Sequence, residues 1–464
     1  MKNIKFIGRK EELNRLAELK KHNFFLVLKG RRRIGKTTLL KHAFLDSIYI
    51  FVWPDKSIDW IMDQICREYR LPLFKNFKDI LEYLLDKEKT VVIDEFQNFF
   101  NIDKSVYGEL QKIIDDRKIG HKFLKIAVAG SSYSLMNKVF NDSASPLYGR
   151  RTDEINLDNI PIKDLFCELN IPLEGFIELW SIFEGVPYYY ELLNREATAR
   201  KNILNIILSK ESQLQNEGKV LMSVEFGGDS KTYNTILTGI SEGKTKLNEL
   251  STLFDNKKNE IVKYLDILRN DFKLVRKVTP ITENARKSRN GKYDVADNFL
   301  SFWLYFIERN RNYIEQDRFN EIEEFYEKNF NTYLGRKFEK FIIVMIKSRI
   351  LLSNIDFKSV GNQWGKIRDG SGESYEIDIV LLNEEKKEIL FGECKWSNKI
   401  NALEVVNGLA KKARYVEWNS EKRKEVFAVF AKSFSKRIEE FEGRKVYCFD
   451  LKDIENALLG KRSY

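Results

Sequence analysis

The sequence predicts an α/β protein: a parallel sheet with interleaved helices at the N-terminal end, a helical middle, and a second α/β unit at the C-terminal end. Three observations lead there. Four short apolar runs stand in residues 1–160: Phe24-Phe25-Leu26-Val27-Leu28, Ile48-Tyr49-Ile50-Phe51-Val52, Val91-Val92-Ile93 and Ile126-Ala127-Val128-Ala129. Helix-compatible sequence separates them, the pattern of βαβ units whose strands are buried on both faces. Residues from 160 to 300 carry helical spacing and end in a short basic hairpin. From residue 325 a long helical pattern is followed by paired strands and more alternation.

A chain of 464 residues is long enough for about three domains. Its 43% hydrophobic residues can build cores, which excludes a disordered chain. No uncharged apolar run of roughly 18 residues, the length a membrane span requires, occurs. The N-terminus, Met1-Lys2-Asn3-Ile4-Lys5-Phe6, lacks the apolar stretch of a signal peptide. Cys66, Cys167, Cys394 and Cys448, with His22, His42 and His121, make no zinc-site spacing. These features predict a reduced, cytoplasmic, multidomain protein without membrane partners. They leave carboxylates with Mg²⁺ or Mn²⁺ as the available metal chemistry. The net charge of +10 says little as a total. Its placement says more: eight basic residues lie between Arg269 and Lys292, against only Asp271 and Glu283. Such a patch is either a phosphate-contact surface or a solvated hairpin.

The first strand runs into Gly30-Arg31-Arg32-Arg33-Ile34-Gly35-Lys36-Thr37, which matches G-x-x-x-x-G-K-[ST]. Loop amides and the following helix N-terminus cradle phosphates, Lys36 reaches the β/γ-phosphates of ATP, and the Thr37 hydroxyl ligates Mg²⁺. Thr38 extends the phosphate contacts. The third strand ends in Val91-Val92-Ile93-Asp94-Glu95. There Asp94 can hold the Mg²⁺ shell and Glu95 can polarise an attacking water, a pair that favours hydrolysis. The intervening strand at 48–52 suits P-loop ATPases in which these two strands are not neighbours. Ser131, in Ala129-Gly130-Ser131-Ser132, is a candidate γ-phosphate sensor; the competing reading makes Ser131 or Ser132 a helix N-cap. Arg150, after Pro146-Leu147-Tyr148-Gly149, is a candidate for stabilising transition-state charge, in cis or from a neighbouring subunit, or a plain surface arginine.

These motifs occur with Phe6-Ile7-Gly8-Arg9-Lys10-Glu11-Glu12-Leu13 and Ile93-Asp94-Glu95-Phe96-Gln97 in one order. That order resembles the archaeal and bacterial ATPases related to the AAA+ and STAND signal-transduction ATPases, along the whole chain. The resemblance implies ATP as ligand, with Gly8 and Arg9 near the adenine, Gly30, Arg33, Ile34 and Gly35 in the phosphate loop, and a lid motif at Glu184-Gly185-Val186-Pro187-Tyr188 that brings Pro187 to the base. The family carries two glycines where this chain has Glu184-Gly185.

Three helical segments beginning near Tyr233, Thr245 and Asn259 precede two strand-like segments, Lys273–Lys277 and Tyr293–Val295, which can pair across the basic turn. Three helices and a two-stranded wing make a winged helix. In a DNA-binding version Lys257, Lys258 and Lys263 would lie on or near the recognition helix, and Arg286, Lys287 and Arg289 on the wing. In STAND-like ATPases such a unit can instead be an internal arm. The aromatic stretch Asp297–Phe306 has helical spacing, which favours packing over base stacking, and resembles the D-x-F-L-x-F-W segment of the same family.

Tyr375–Leu382 and Glu388–Trp396 read as a strand hairpin. Alternation places Glu376, Asp378 and Val380 on one face, and Phe391, Glu393 and Lys395 on one face. Asp378 followed by Glu393-Cys394-Lys395 resembles the D-x(n)-E-x-K core of the PD-(D/E)xK nucleases and Holliday-junction resolvases. Asp378 and Glu393 would ligate Mg²⁺ or Mn²⁺ with the Cys394 carbonyl, and Lys395 would orient or activate the attacking water. Glu339, on a helix expected over Phe338–Ile346, is a further ligand or orienter. A domain that keeps the fold without activity, or an exposed charged hairpin, are the alternatives.

The expected architecture is therefore a P-loop ATPase parallel sheet (1–160) with a helical lid (161–217), a winged helix and aromatic linker helix (218–325), and a C-terminal α/β restriction-endonuclease-like domain (326–464). The expected function couples ATP binding and hydrolysis to DNA binding and metal-dependent DNA cleavage, with homo-oligomers among the possible states. A nucleotide-gated DNA-binding regulator or scaffold with an inactive C-terminal domain is the alternative.

Overall fold

The structure, a computed structural model, describes residues 6–226, 231–255, 258–367 and 373–461. Lys257 and the side chain of Lys258 fall outside the described residues.

Five strands form the first sheet: β1 (Phe24–Lys29), β2 (Ile48–Phe51), β3 (Val91–Asp94), β4 (Lys125–Gly130) and β5 (Asp153–Asn156), in the order β2-β3-β4-β1-β5 and all parallel. β4 lies between the phosphate-loop strand and the Asp94 strand, as expected for this type of ATPase. All six residues of β1 are buried. The run at 48–52 was expected to be buried on both faces, but β2 is an edge strand and only Ile50 among its residues is fully covered. One face of the sheet has a closed core of its own around Phe25, Phe96, Phe99 and Phe140. The other face opens into a core that runs on through the lid to the C-terminal sheet, taking in Leu26, Phe176, Phe183, Phe299, Trp303 and Phe341.

That shared core ties the middle of the chain to both ends. Helices over Ile162–Leu169, Leu173–Phe183 and Pro187–Glu191 lie in the segment expected to be a lid. Helices Lys231–Ser241, Leu247–Ser251 and Lys258–Asn270 precede an antiparallel hairpin of β6 (Val275–Val278) and β7 (Lys292–Val295), with Arg276 opposite Asp294. Helix Asn298–Phe306 is apolar nearly all round, and Phe299, Phe302, Trp303 and Phe306 are fully buried, so the aromatic stretch is packing. Under it, Gly218 lies so close that an added Cβ would stand 2.1 Å from the Trp303 ring. Gly218→Ala should therefore destabilise the fold by about 1–3 kcal/mol through overpacking. A thermal melt identical to that of the parent would contradict this close approach.

A single helix, Phe319–Lys347, 29 residues long, crosses the boundary expected at 325/326. It lies against a six-stranded mixed sheet made of β8 (Ser359–Lys366), β9 (Ser374–Asn383), β10 (Glu388–Lys395), β12 (Lys424–Ala431), β14 (Glu440–Phe441) and β15 (Arg444–Phe449), in the order β14-β15-β12-β10-β9-β8. Between these, β11 (Ile400–Asn401) and β13 (Phe434–Lys436) pair separately. Helix Ala402–Ala413 covers the other face through Val406, Leu409 and Ala413. Among the described residues, no helix is long and apolar enough to cross a membrane.

Candidate functional site

The N-terminal site is built where β1 and β3 end. Gly35 caps helix Lys36–Ala43 with φ 94°, a left-handed value that glycine tolerates. The Lys36 ammonium is buried and donates to the carbonyls of Gly30 (2.9 Å) and Arg31 (3.1 Å). Thr37 Oγ1 donates to Asp94 Oδ2 at 2.5 Å, and Tyr49 Oη donates to the same oxygen at 2.7 Å. Glu95 accepts from Ser131 Oγ at 2.6 Å and from Gln97 Nε2 at 2.5 Å. Arg9 is buried and reaches the Ile34 carbonyl at 3.1 Å, while Glu12 holds its other end. Gly8 and Arg9 both have left-handed backbone, at φ 64° and 62°. Pro187 opens its lid helix 3.6 Å from where a Cβ on Gly35 would stand. Thr38 is exposed in the first turn. Gly30, Arg33, Ile34, Lys36, Thr37, Asp94, Glu95, Ser131, Arg9 and Pro187 thus come together at one end of the sheet.

Ser131 and Ser132 divide the two roles expected of them, and Arg150 is an ion-paired arginine in its own chain. Ser132, not Ser131, caps helix Tyr133–Phe140 by accepting from Leu135 N. Ser131 instead fixes Glu95. Arg150 is taken up by Asp115, with bonds of 3.0–3.1 Å, and by the Pro146 carbonyl. Its guanidinium therefore supplies nothing to the phosphate loop of its own chain.

Does this site fit a phosphate-bearing ligand? Arg31 Nη2 and Arg33 Nη1 are buried donors without a hydrogen-bond partner. Orphaned guanidinium donors beside a helix N-terminus suit the oxygens of a phosphate, so the residues fit. Arg33 otherwise pairs with buried Glu217 at 2.9 Å and stacks on Tyr188, 3.9 Å from the ring centre.

Several residues here had no motif to announce them. Arg31 bonds Asp297, the N-cap of helix Asn298–Phe306, and lies 3.7 Å from Glu184. Glu184 in turn pairs with Lys340 of helix Phe319–Lys347, and Lys340 also donates to Asn298 Oδ1 at 2.9 Å. Burial alone would raise the Glu184 carboxyl, but Lys340 and Arg31 outweigh it and hold it down at about 2. Its backbone sits at φ 48°, ψ −131°, a region that only glycine enters without strain. Glu225 approaches from helix Glu217–Phe226 and accepts from Ser132 Oγ (3.1 Å) and Tyr133 N (3.1 Å).

The C-terminal site arises where β9 and β10 part. Gly361 pairs with Val380 and Gln363 with Ile377, so three residues of β9 span the step of two on β8. This bulge around Asp378 and Ile379 re-aims the strand. As a result Tyr375, Ile377, Val380 and Leu382 join one core while Ile379 and Leu381 join the other. The expectation that Asp378 and Val380 share a face is thereby corrected. Pairing between β9 and β10 ends at Gly392 opposite Ile379. The Cys394 N–H, released from that ladder, donates to Asp378 Oδ2 at 2.8 Å. Glu393 accepts from Lys395 at 2.8 Å, and both of its oxygens accept from Lys412 at 3.0 Å. Lys412, on helix Ala402–Ala413, is the member that no motif signalled.

Burial, then the Glu393 charge, pushes the Asp378 carboxyl up to about 6. Burial, then Asp378, Glu376 and Glu393, pushes Glu339 up to about 9. Lys395 is raised: burial opposes the shift, and Glu393 outweighs it. A lysine held protonated orients and neutralises better than it accepts a proton. Among the described residues no three His, Cys, Asp or Glu side chains are gathered closely enough to hold a cation. The expected three-carboxylate set with Glu339 is corrected accordingly: Glu339 feels the pair without completing a cage. Two carboxylates with backbone and water are a normal Mg²⁺ complement, so Asp378 and Glu393 fit a divalent ion.

A carboxyl whose folded pKa lies above its unfolded value of about 4 costs stability as pH rises from there through the folded value. Asp378 and Glu339 are of this kind, so their cost is absent at low pH and present at pH 8. A cation bound at Asp378 offsets it. Mg²⁺ should accordingly raise the melting temperature more at pH 8 than at pH 5, and Asp378→Asn should remove the difference. Equal shifts at the two pH values would count against the site.

Residues 22–161 match an AAA domain, and residues 303–408 match a family described as archaea bacterial proteins of unknown function. An uncharacterized protein of Methanocaldococcus jannaschii is 30% identical over 460 residues, which cover 97% of this chain and 99% of the relative. The chain belongs to that protein's family. The AAA-domain match at the N-terminal end supports a nucleotide-binding ATPase. Among solved structures, the Walker-type ATPase of Pyrococcus abyssi is 18% identical and has a TM-score of 0.48, covering 65% of this chain and 97% of its own. The ORC2 protein of Aeropyrum pernix is 14% identical with a TM-score of 0.30, covering 68% of this chain and 95% of its own.

Proposed function

We propose that the protein is an ATP-hydrolysing switch whose nucleotide state controls a DNA-directed, metal-dependent cleavage site in its C-terminal part. In this reading Lys36, Arg31 and Arg33 neutralise the phosphates, Thr37 and Asp94 hold Mg²⁺, and Glu95, fixed by Ser131 and Gln97, polarises the attacking water. The bound Mg²⁺ supplies charge neutralisation at the phosphates. The C-terminal part is a restriction-endonuclease-like domain in which Asp378 and Glu393 hold Mg²⁺ or Mn²⁺ and Lys395 positions the water. Helices 231–270 with hairpin β6–β7 are a winged helix, on which Lys263, Arg286, Lys287 and Arg289 are exposed for phosphate contact. In a homo-oligomer Arg150 would reach a neighbouring copy's nucleotide only by leaving Asp115.

The observation that carries the coupling is the buried chain Arg31–Glu184–Lys340. It starts in the phosphate loop and ends on the residue next to Glu339. Strain at Glu184 costs about 1–3 kcal/mol, and glycine would remove it, so a carboxylate kept there has a use. A phosphate that draws Arg31 away changes the partner set of Glu184 and, through it, of Lys340. Glu184→Gly tests this: relief of the strained backbone offsets part of the lost ion pairing, and the variant should fold, bind ATP, and no longer transmit nucleotide state to the C-terminal site. Retained nucleotide control of strand cleavage in Glu184→Gly would contradict the coupling.

One observation favours a second reading, in which the C-terminal domain binds DNA without cutting. Glu393 already carries two lysines, which compete with a cation. Salt-dependent DNA binding with intact substrate at all Mg²⁺ and Mn²⁺ concentrations would select that reading.

A further inference from the structure

The loop between β6 and β7 does not project into solvent as a free wing. Ile281 N donates to the Asn362 carbonyl of β8 at 2.9 Å, and Thr282 Oγ1 donates to Gln363 at 3.0 Å. Trp364 Nε1 donates to the Asn290 carbonyl at 3.0 Å. Lys292 pairs with Glu376 at 2.8 Å and lies over the Trp364 ring, 4.5 Å from its centre. Hairpin and edge strand are thus fastened at both ends of the loop.

Beneath this clasp lies a cleft of ≈ 930 Å³. Helix Phe319–Lys347 forms one wall, β8 and β9 a second, and the hairpin the third. Asp378, Glu376, Glu339 and Lys412 line it together with Arg276, Lys277, Lys292, Arg336 and Lys347. Among its described lining residues eight Lys and Arg stand against five Asp and Glu, and of the eight Lys340 and Lys412 are paired with Glu184 and Glu393 outside the lining. Arg336 and Lys347 are exposed, so positive charge is open to an incoming polyanion on the helix wall. A cleft of this size is at the upper end of ordinary ligand sites, about 300–1,000 Å³. Its volume is of the order of a few nucleotides of one strand, and the hairpin fastened to β8 and β9 covers it on one side. Basic walls that track a backbone are how proteins hold single strands.

We infer that this cleft admits a single DNA strand and excludes duplex, with the loop 279–291 as its clasp. The inference rests on the DNA-directed reading above and narrows it to a substrate class. The strand would run between the basic helix wall and the hairpin, and would pass Asp378 with its phosphates toward Lys412.

The test uses the full chain carrying Asp378→Ala, so that bound strands stay intact. Fluorescence anisotropy would compare a labelled DNA strand of about 20 nucleotides, the matching RNA strand and the matching duplex at one salt concentration. The expected result is that the DNA strand binds at least about tenfold tighter than the duplex. Adding Glu376→Ala, an exposed change that unfastens Lys292, should narrow that gap by strengthening duplex binding. Duplex bound as tightly as the strand would overturn the inference and leave the DNA-directed reading standing. A gap unmoved by Glu376→Ala would overturn the role of the clasp, and tighter binding of RNA than DNA would overturn the choice of DNA. Binding of none of the three would overturn the inference and the reading together.

Discussion

Lys36→Ala should abolish nucleotide binding, while Glu95→Gln should bind ATP normally and hydrolyse it about 10²–10⁴-fold more slowly. The two effects separate because the residues do different things. Lys36 is a buried cation whose present partners are two loop carbonyls, Gly30 and Arg31. It is poised to exchange them for phosphate oxygens, and without it the loop has lost its central charge. Among the described residues Glu95 makes no side-chain hydrogen bond to the loop. Its carboxylate is held by Ser131 and Gln97, a pair of donors that fix where it points without neutralising it. Glutamine keeps the shape and gives up the negative charge that polarises water. Ser131→Ala should reproduce a milder form of the Glu95→Gln defect. Equilibrium binding of a fluorescent ATP analogue, paired with phosphate release, distinguishes these outcomes. Hydrolysis at the parent rate in Glu95→Gln would contradict the assignment.

Asp378→Ala and Lys395→Ala should each abolish strand cleavage while leaving ATP hydrolysis near the parent rate. Asp378 is the residue for which the chain interrupts a strand. The bulge aims it at the Cys394 amide, and burial with the Glu393 charge raises its carboxyl. A sheet built only for stability would place an apolar residue there. Lys395 shares Glu393 with Lys412, so removing Lys395 leaves a carboxylate that still has one cation. The fold should therefore survive either change. Lys412→Ala should tighten metal binding at Glu393 by removing a competing cation. Loss of ATPase activity in Asp378→Ala would point to misfolding, and a circular dichroism melt identifies that case.

Much of the first site could be read from residue order alone, because a phosphate loop and a strand-end Asp-Glu pair are dictated by local chemistry at fixed spacing. Gly30, Gly35, Lys36, Thr37, Asp94 and Glu95 all meet as the motif requires. Tyr49 and Arg31 could not be read that way. Tyr49 reaches Asp94 only because β2 pairs with β3, and the Arg31 link to Asp297 spans 266 positions. Arg150 stayed open between a catalytic and a surface role, because the turn before it says nothing about Asp115 packing beneath it. In the C-terminal part, the hairpin of β9 and β10 was legible from alternation. The bulge was not, since it depends on β8 pairing across a step that leaves no trace in the composition of β9. From its charge, the loop 279–291 left a phosphate-contacting wing, a solvated hairpin and an internal arm all open. Its bonds to β8 come from a strand some 80 residues further on, beyond the reach of any local pattern. Glu184 stood out only as a glycine replaced. Its backbone conformation and its two cationic partners give that replacement a physical meaning.

The central claim is that the nucleotide at one end of the chain governs the carboxylate cleft at the other. The direct measurement is the rate at which the full chain cleaves a DNA strand in Mg²⁺, with ATP, with ADP and with neither, alongside Lys36→Ala. Rates should differ between nucleotide states by about 5–150-fold, a factor of ordinary allosteric size, and the Lys36→Ala rate should stay at the nucleotide-free value. Cleavage that is absent, or that proceeds at one rate in all four conditions, would contradict the claim.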